Sequence, residues 1–281
     1  LDITENAFGP SRRARAALSA GIARANNYAH EEEVALARRI AEANGVAPDH
    51  VVLSTGSLEM LSLATVAWTR DGVQLLPALT YDTHAKYAAR QGGKARRAPM
   101  TPDLGIDFAA MDAAMGADVR LAYVCNPNNP TGLLADRAAL RAWCVETAKR
   151  VPVIVDEAFI DMLPDPAAES AVDLVRAGHD VIVAGTFSKS YGLAALRIGY
   201  AIARPERAAA IRSVLATSHN LPGLLAAAAC YRDPAYLAAS NRAMAEGRAV
   251  IEAALAKAGL PYLKSPASYV FADFGSDAAG R

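Results

Sequence analysis

Short apolar runs alternate with amphipathic segments through the middle of the chain. Runs rich in Val, Ile, Leu and Ala predict buried strands at residues 51–53, 74–76, 119–124, 151–155 and 181–184. Helical patterns lie between them, most clearly at 58–68 and 136–149. Because alternating strands and helices build parallel sheets covered on both faces, this region predicts an α/β domain with a mostly parallel sheet.

Helical patterns also flank this region. Ser11 is a suitable N-cap for the first flanking helix. No low-complexity linker separates the flanking elements from the middle region, so we expect a smaller α+β domain packed closely on the larger one. The flanking elements are helices at 12–25, 31–44, 206–215, 224–231 and 233–258, and a strand at 269–274.

The composition points to a small-molecule partner. The 281 residues include 29 basic and 29 acidic side chains, which indicates neither a nucleic-acid surface nor a basic membrane patch. The sequence has no run of 18 apolar residues of the kind that spans a membrane. Cys125, Cys144 and Cys230 are widely spaced, which is typical of reduced core residues and not of metal ligands or disulfides. We expect a cytoplasmic protein, or a periplasmic one if a signal peptide has been removed.

Reactive and polar side chains follow the predicted strands. A lysine in a partly desolvated pocket loses its proton readily and forms an imine with a carbonyl group. Arg197 follows Lys189 by eight residues, and a guanidinium beside hydroxyl groups suits a phosphate. This combination fits pyridoxal phosphate, although each residue alone, like the isolated His84, has a structural explanation. The side chains at strand ends, where parallel sheets bind ligands, are Ser57, Tyr81, Asn129, Asp156 and Lys189.

Three motifs resemble those of a known enzyme family. They are NPNNPTG at 126–132, DEAF at 156–159 and TFSKSYGLAALRIGY at 186–200. In this order and spacing they resemble the class I/II, fold-type I pyridoxal-phosphate aminotransferases, and the chain is most similar to the histidinol-phosphate aminotransferase group. The opening ENAFGPS at 5–11 and the turn at Tyr28 are similar to segments of that group.

The resemblance covers nearly the entire chain and implies its domain organisation. Residues 26–204 correspond to the large cofactor-binding domain. Residues 1–25 and 205–281 correspond to a small domain that is incomplete, because the family continues beyond the position of Arg281. In the family an arginine in that continuation binds the substrate carboxylate or phosphate, so we expect this residue to lie beyond Arg281.

The resemblance also implies a role for each side chain around the cofactor ring. Lys189 holds the cofactor as an internal aldimine and then moves the substrate proton. Asp156 pairs with the pyridine nitrogen and keeps it protonated. Asn129 donates a hydrogen bond to the phenolate oxygen, and Tyr81 stacks on the ring.

The implied phosphate site draws on several segments. Tyr28 corresponds to a residue that reaches the phosphate of the neighbouring subunit, which implies a homodimer with shared active sites. The residues that bind the phosphate within the subunit are Ser57, Leu58, Thr186, Ser188 and Arg197.

The implied reaction moves an amino group between an amino acid or phosphorylated amine and a 2-oxo acid such as 2-oxoglutarate, as in amino-acid biosynthesis. Two alternatives use the same cofactor: a threonine-phosphate decarboxylase, whose motifs are similar, and a non-enzymatic regulator. Phe159 stands where most relatives carry a tyrosine that contacts the phenolate oxygen. We therefore expect a raised pKa for the imine between Lys189 and the cofactor.

Overall fold

The computed structural model describes residues 4–215 and 218–275. Its centre is a seven-stranded sheet with the order β1-β7-β6-β5-β4-β2-β3. The strands are β1 (Val51–Ser54), β2 (Val73–Pro77), β3 (Lys94–Ala98), β4 (Val119–Cys125), β5 (Val153–Asp156), β6 (Val181–Thr186) and β7 (Gly199–Ala203). Arg281, beyond which we expect the family's substrate-binding arginine, lies outside the described residues.

The sheet is mostly parallel, which confirms the prediction from the alternating pattern. β7 alone is antiparallel, and it pairs with β1 on one side and β6 on the other. Neither β7 nor β3 was predicted. β3 is a charged, largely exposed edge strand without an apolar run, and β7 is short and directly follows the turn that contains Lys189. β5 begins at Val153 and not at 151, because Pro152 has no N–H for the strand ladder.

Helices cover both faces of the sheet. Ser11 caps the first of them as predicted, since its side chain accepts a hydrogen bond from the Ala14 amide at 3.0 Å. That helix ends at Ile22 rather than at Ala25, and turns follow at residues 23–27. The helices are α1 (Arg12–Ile22), α2 (His30–Asn44), α3 (Ser57–Thr69), α4 (Thr83–Arg90), α5 (Phe108–Ala113), α6 (Arg137–Thr147), α7 (Pro166–Glu169), α8 (Val172–Arg176), α9 (Pro205–Arg212), α10 (Leu221–Cys230) and α11 (Pro234–Lys257).

Alternation along the strands divides the buried apolar residues into two cores. On β4, Ala122 and Val124 belong to one core, which also receives side chains from α1, α2 and α10. Leu121 and Tyr123 point to the opposite face and join the core under α3. Both faces of the central strands are therefore buried, which is why these strands appear in the sequence as continuous apolar runs.

The C-terminal part contains a separate, small strand pair. β8 (Tyr262–Leu263) and β9 (Phe271–Ala272) form a two-stranded antiparallel sheet. The strand predicted at 269–274 is thus shorter than expected, since β8 offers it only two residues to pair with. Within 4–215 and 218–275, no helix combines the length and the apolar character that a bilayer crossing requires.

Candidate active site

The carboxyl ends of the central strands surround one cavity of about 350 Å³. Asp156 is the last residue of β5, and Lys189 follows the end of β6. Tyr81 and Asn129 lie in the loops after β2 and β4. Parallel strands bring their carboxyl ends to the same edge of a sheet, so residues distant in sequence meet here. The lining residues are Thr4, Glu5, Ser57, Leu58, Tyr81, Cys125, Asn129, Asp156, Ala158, Phe159, Thr186, Ser188, Lys189, Ala194 and Arg197.

Lys189 presents its amine to this cavity. The side chain is half-buried, and Nζ donates to the Thr4 hydroxyl at 2.6 Å and to the Thr4 carbonyl at 2.9 Å. Burial lowers the pKa of Lys189, although the negative charges of Asp156 and Glu5 oppose this shift. A lowered pKa increases the fraction of neutral amine, which is the form that attacks carbonyl groups.

Asp156 is a buried carboxylate held on both oxygens. Its Oδ1 accepts a hydrogen bond from the Ala158 amide at 3.1 Å, and its Oδ2 accepts one from the Tyr123 hydroxyl at 3.0 Å. Burial raises the pKa of Asp156 to about 6, while these two hydrogen bonds and the charge of Lys189 oppose the rise. At neutral pH most of the carboxylate is ionised, and a cationic N–H donor would stabilise it.

Glu157, the next residue, points to the other face of the strand. Its two oxygens accept hydrogen bonds from the Ala171 amide and the Ser170 hydroxyl, both at 2.7 Å. Burial raises the pKa of Glu157 to about 8, so the carboxyl group is mostly protonated at neutral pH. Glu157 does not line the cavity and instead ties the end of β5 to the loop before α8.

An anion cradle lies at the end of the cavity nearest α3, formed by Ser57, Leu58, Thr186, Ser188 and Arg197. Ser57 and Leu58 begin α3, where the first backbone amides have no partner within the helix. The Thr186 hydroxyl donates to the Ser188 hydroxyl at 3.0 Å, and Arg197 Nη1 lies 3.4 Å from the same Ser188 oxygen. Amide, hydroxyl and guanidinium donors thus converge on one region.

Two glycines allow the parts of the anion cradle to approach each other. A Cβ on Gly56 would collide with the Arg197 guanidinium, and a Cβ on Gly199 would collide with the Ser57 amide. Gly56 also has a φ of 75°, which side chains other than glycine rarely tolerate. Arg197 itself has a φ of 53°, a left-handed conformation that is uncommon outside glycine. The backbone here is shaped around the position of Arg197.

The loops that contain Tyr81 and Asn129 are joined by the side chain of Asn128. Its Oδ1 accepts from the Thr80 hydroxyl at 2.8 Å, and its Nδ2 donates to the Leu79 carbonyl at 3.0 Å. This buried network fixes the two loops relative to each other. The adjacent Tyr81 and Asn129, each partly exposed, line the cavity.

The structure brings all of the predicted site residues except Tyr28 to this cavity. Tyr28 lies outside it, with 81% of its surface exposed. His84 also lies outside it, and because burial lowers its pKa to about 3 it cannot carry a proton at neutral pH. Thr4 and Glu5 also line the cavity, and this was not predicted, since they precede the first helix without any periodic pattern.

These groups fit pyridoxal phosphate. The anion cradle matches a phosphate, the Asp156 carboxylate matches a pyridinium, and the Lys189 amine matches an aldehyde. The collision that any side chain at Gly56 or Gly199 would cause also shows that the cradle is closely assembled. Each reactive part of the cofactor therefore has a chemical partner in one cavity.

Comparisons with known proteins agree with this fit. A model of the family described as aminotransferase class I and II matches residues 1–279. The histidinol-phosphate aminotransferase of Moorella thermoacetica is 33% identical over 280 residues, which are 99% of this chain and 72% of that protein. The aromatic amino acid aminotransferase of Mycolicibacterium vanbaalenii is 34% identical over 272 residues, which are 95% of this chain and 76% of that protein.

Solved structures give the same result. The histidinol-phosphate aminotransferase of Sinorhizobium meliloti, in complex with pyridoxal-5'-phosphate, matches with a TM-score of 0.91 at 28% identity, covering 98% of this chain and 75% of that one. The fold and the cavity therefore define a pyridoxal-phosphate enzyme of fold type I. The chain belongs to the aminotransferase class I and II family, and it is a transaminase that uses pyridoxal phosphate. These aminotransferase relatives do not favour the decarboxylase alternative.

Proposed function

We propose that this transaminase is a histidinol-phosphate aminotransferase-like enzyme, which moves an amino group between a phosphorylated amine or amino acid and a 2-oxo acid such as 2-oxoglutarate. The observation that carries the proposal is the single cavity combining Lys189, Asp156 and the anion cradle. The histidinol-phosphate aminotransferases among its relatives support the phosphorylated donor. The Mycolicibacterium relative makes an aromatic amino acid the natural competitor in any test.

Lys189 is the proposed base. Bound pyridoxal phosphate supplies an electron sink that stabilises negative charge on the donor's α carbon. Lys189 Nζ would take the proton from that carbon and would return it to C4′ of the cofactor. The lowered pKa of Lys189 supports this role, because a base must be unprotonated when it acts.

The other cavity residues are proposed to hold and orient the cofactor. Asp156 accepts the pyridine N–H and keeps that nitrogen protonated, which its ionised state at neutral pH supports. Asn129 binds the ring oxygen, and Tyr81 covers a ring face. The anion cradle binds the phosphate of the cofactor, because its charge-assisted donors suit a dianion.

We also propose a homodimer in which Tyr28 reaches the phosphate in the partner's site. Its 81% exposure in the single chain supports this, because an aromatic side chain so exposed is available to a second subunit. Mixing Tyr28→Ala and Lys189→Ala subunits tests the arrangement. In a shared site the mixed dimer regains one complete site and about half of the native activity per dimer. If each chain used its own Tyr28, the mixture would stay inactive.

We also propose the domain boundaries and the cellular location of the protein. The large domain spans residues 26–204, with 1–25 and 205–281 in the small domain. The separation of the β8 and β9 pair from the main sheet supports a distinct C-terminal unit. A cytoplasmic location is supported by three free, buried cysteines, which suit a reducing compartment.

Substrate competition tests the proposed donor. The purified enzyme is assayed for kcat/KM with L-histidinol phosphate, L-histidinol and L-phenylalanine, each with 2-oxoglutarate. We expect histidinol phosphate to exceed unphosphorylated histidinol by about 100-fold, because charge-assisted bonds to a phosphate contribute a few kcal/mol. Equal values for the two histidinols, or a preference for phenylalanine, would reject the phosphorylated donor while leaving the transaminase class intact.

A further inference from the structure

Tyr123 and Asp156 are diagonal neighbours on one face of the sheet. In the parallel pairing of β4 with β5, Tyr123 lies opposite Ile154 and Cys125 lies opposite Asp156. Side chains alternate along strands, so Tyr123 and Asp156 project from the same face. The tyrosine is long enough to lean along the strand, and its hydroxyl donates to Asp156 Oδ2 at 3.0 Å.

Both partners of this hydrogen bond are withdrawn from water. Tyr123 is fully buried and Asp156 is 2% exposed. Burial raises the pKa of Tyr123 well above its ordinary value, and the nearby charge of Asp156 adds to this. The phenol therefore keeps its proton at any working pH and is always the donor. Asp156 is mostly ionised at neutral pH and is the acceptor.

The other polar side chains next to Tyr123 do not donate a hydrogen bond to Asp156. His84 packs its ring 4.3 Å from that of Tyr123, and its low pKa keeps it neutral. The Cys125 thiol donates to the Pro127 carbonyl at 3.3 Å. Within residues 4–215 and 218–275, the hydroxyl of Tyr123 is the side-chain donor to Asp156, and the Ala158 amide completes the pair of anchors.

We propose that Tyr123 is a positioning residue that keeps Asp156 ionised and correctly oriented toward the pyridine nitrogen of the cofactor. Two donors, one on each oxygen, fix the plane of the carboxylate and direct its free lone pairs into the cavity. Tyr123 itself does not line the cavity, so it acts only through Asp156. The inference rests on the proposed role of Asp156.

The state of the pyridine nitrogen reports directly on this proposal. When the carboxylate loses a donor, its ionised form is destabilised relative to the neutral acid, and the shared proton moves from the ring nitrogen to Asp156. We expect Tyr123→Phe to lower the ratio of protonated to neutral ring about tenfold or more, since buried hydrogen bonds to charged groups are strong. The measurement is the 15N chemical shift of ring-labelled pyridoxal phosphate bound to the full chain.

Matched variants give the test its controls. Tyr200→Phe removes a buried hydroxyl from the opposite core and should leave the 15N shift unchanged. Asp156→Asn should produce neutral pyridine. If Asp156→Asn leaves the ring protonated, the proposed role of Asp156 fails. If Asp156→Asn changes the shift and Tyr123→Phe does not, the inference about Tyr123 alone is wrong.

A second substitution covers the case in which Tyr123→Phe does not fold. A fluorinated tyrosine incorporated at position 123 keeps the shape of the side chain but has a more acidic hydroxyl, which donates a stronger hydrogen bond. The inference predicts a 15N shift further toward the protonated ring in this protein. A shift in the opposite direction, or none, overturns the inference.

Discussion

Arg197 offers a direct test of the anion cradle. Its Nη1 donates to the Ala194 carbonyl at 2.7 Å and approaches the Ser188 hydroxyl at 3.4 Å, so the guanidinium is held beside the start of α3. Arg197→Ala removes this group, whereas Arg197→Lys keeps the charge but loses the two-pronged geometry. If the cradle binds the cofactor phosphate, both changes weaken phosphate binding, and the alanine variant does so more.

The size of the effect follows from the kind of bond. A hydrogen bond from a guanidinium to a phosphate oxygen contributes about 1.5–3 kcal/mol. Arg197 is exposed, and solvent screening therefore favours the lower part of that range for each bond. A combined loss of about 2–3 kcal/mol raises the dissociation constant of pyridoxal phosphate by about 30-fold to 150-fold.

Pyridoxal, which lacks the phosphate, isolates the contribution of the cradle. The dissociation constants of pyridoxal phosphate and pyridoxal are measured by absorbance titration of the cofactor-free protein and its variants. We expect Arg197→Ala to weaken the binding of pyridoxal phosphate strongly and to raise the dissociation constant of pyridoxal by less than about twofold. The exposed Arg137, at the start of α6, gives the control variant Arg137→Ala. Equal weakening of both compounds would refute the assignment and indicate a general structural role.

Two other predictions concern residues on either side of the site. Phe159→Tyr adds a hydroxyl to a buried ring that lies 5.6 Å from Lys189 Nζ. If it reaches the ionised ring oxygen of the cofactor, the pKa of the lysine-linked cofactor falls by about one unit. A spectral pH titration measures this pKa. An unchanged pKa would count against the expectation that Phe159 leaves the ring oxygen without a hydroxyl contact. Glu157 has a folded-state pKa of about 8, above the ordinary value of 4.5, so its burial costs stability as pH rises through this range. Between pH 7 and 9 the cofactor-free wild type should lose about 1 kcal/mol of unfolding free energy that Glu157→Gln retains, measured by urea denaturation. Parallel pH dependences for the two proteins would show that Glu157 is already ionised in the fold.

The sequence predicted those parts of the molecule that depend on local patterns. Apolar runs identified the central strands, and the rule that parallel strands end at one edge brought Asp156 and Lys189 together. The charged edge strand β3 has no such pattern, and only its pairing with β2 makes it a strand. The two residues of β9 are likewise defined by their partner in β8.

The unpredicted parts of the site depend on long-range packing. Thr4 bonds Lys189 across 185 positions of sequence, and nothing in its local sequence indicates this contact. The hydrogen bond between Tyr123 and Asp156 depends on the exact register of β4 and β5, because a shift of one residue would turn Tyr123 to the other core. A tyrosine inside an otherwise apolar strand was the one available signal, since buried hydroxyls need partners.

A single-turnover reaction with L-glutamate tests the central claim most directly. The purified protein, loaded with pyridoxal phosphate, is mixed with L-glutamate while absorbance is followed between roughly 300 and 500 nm, and 2-oxoglutarate is quantified. We predict conversion of the lysine-bound cofactor to pyridoxamine phosphate with one 2-oxoglutarate per site, and no conversion in Lys189→Ala. A loaded protein that leaves both the spectrum and L-glutamate unchanged would contradict the assignment of this cavity as a transaminase active site.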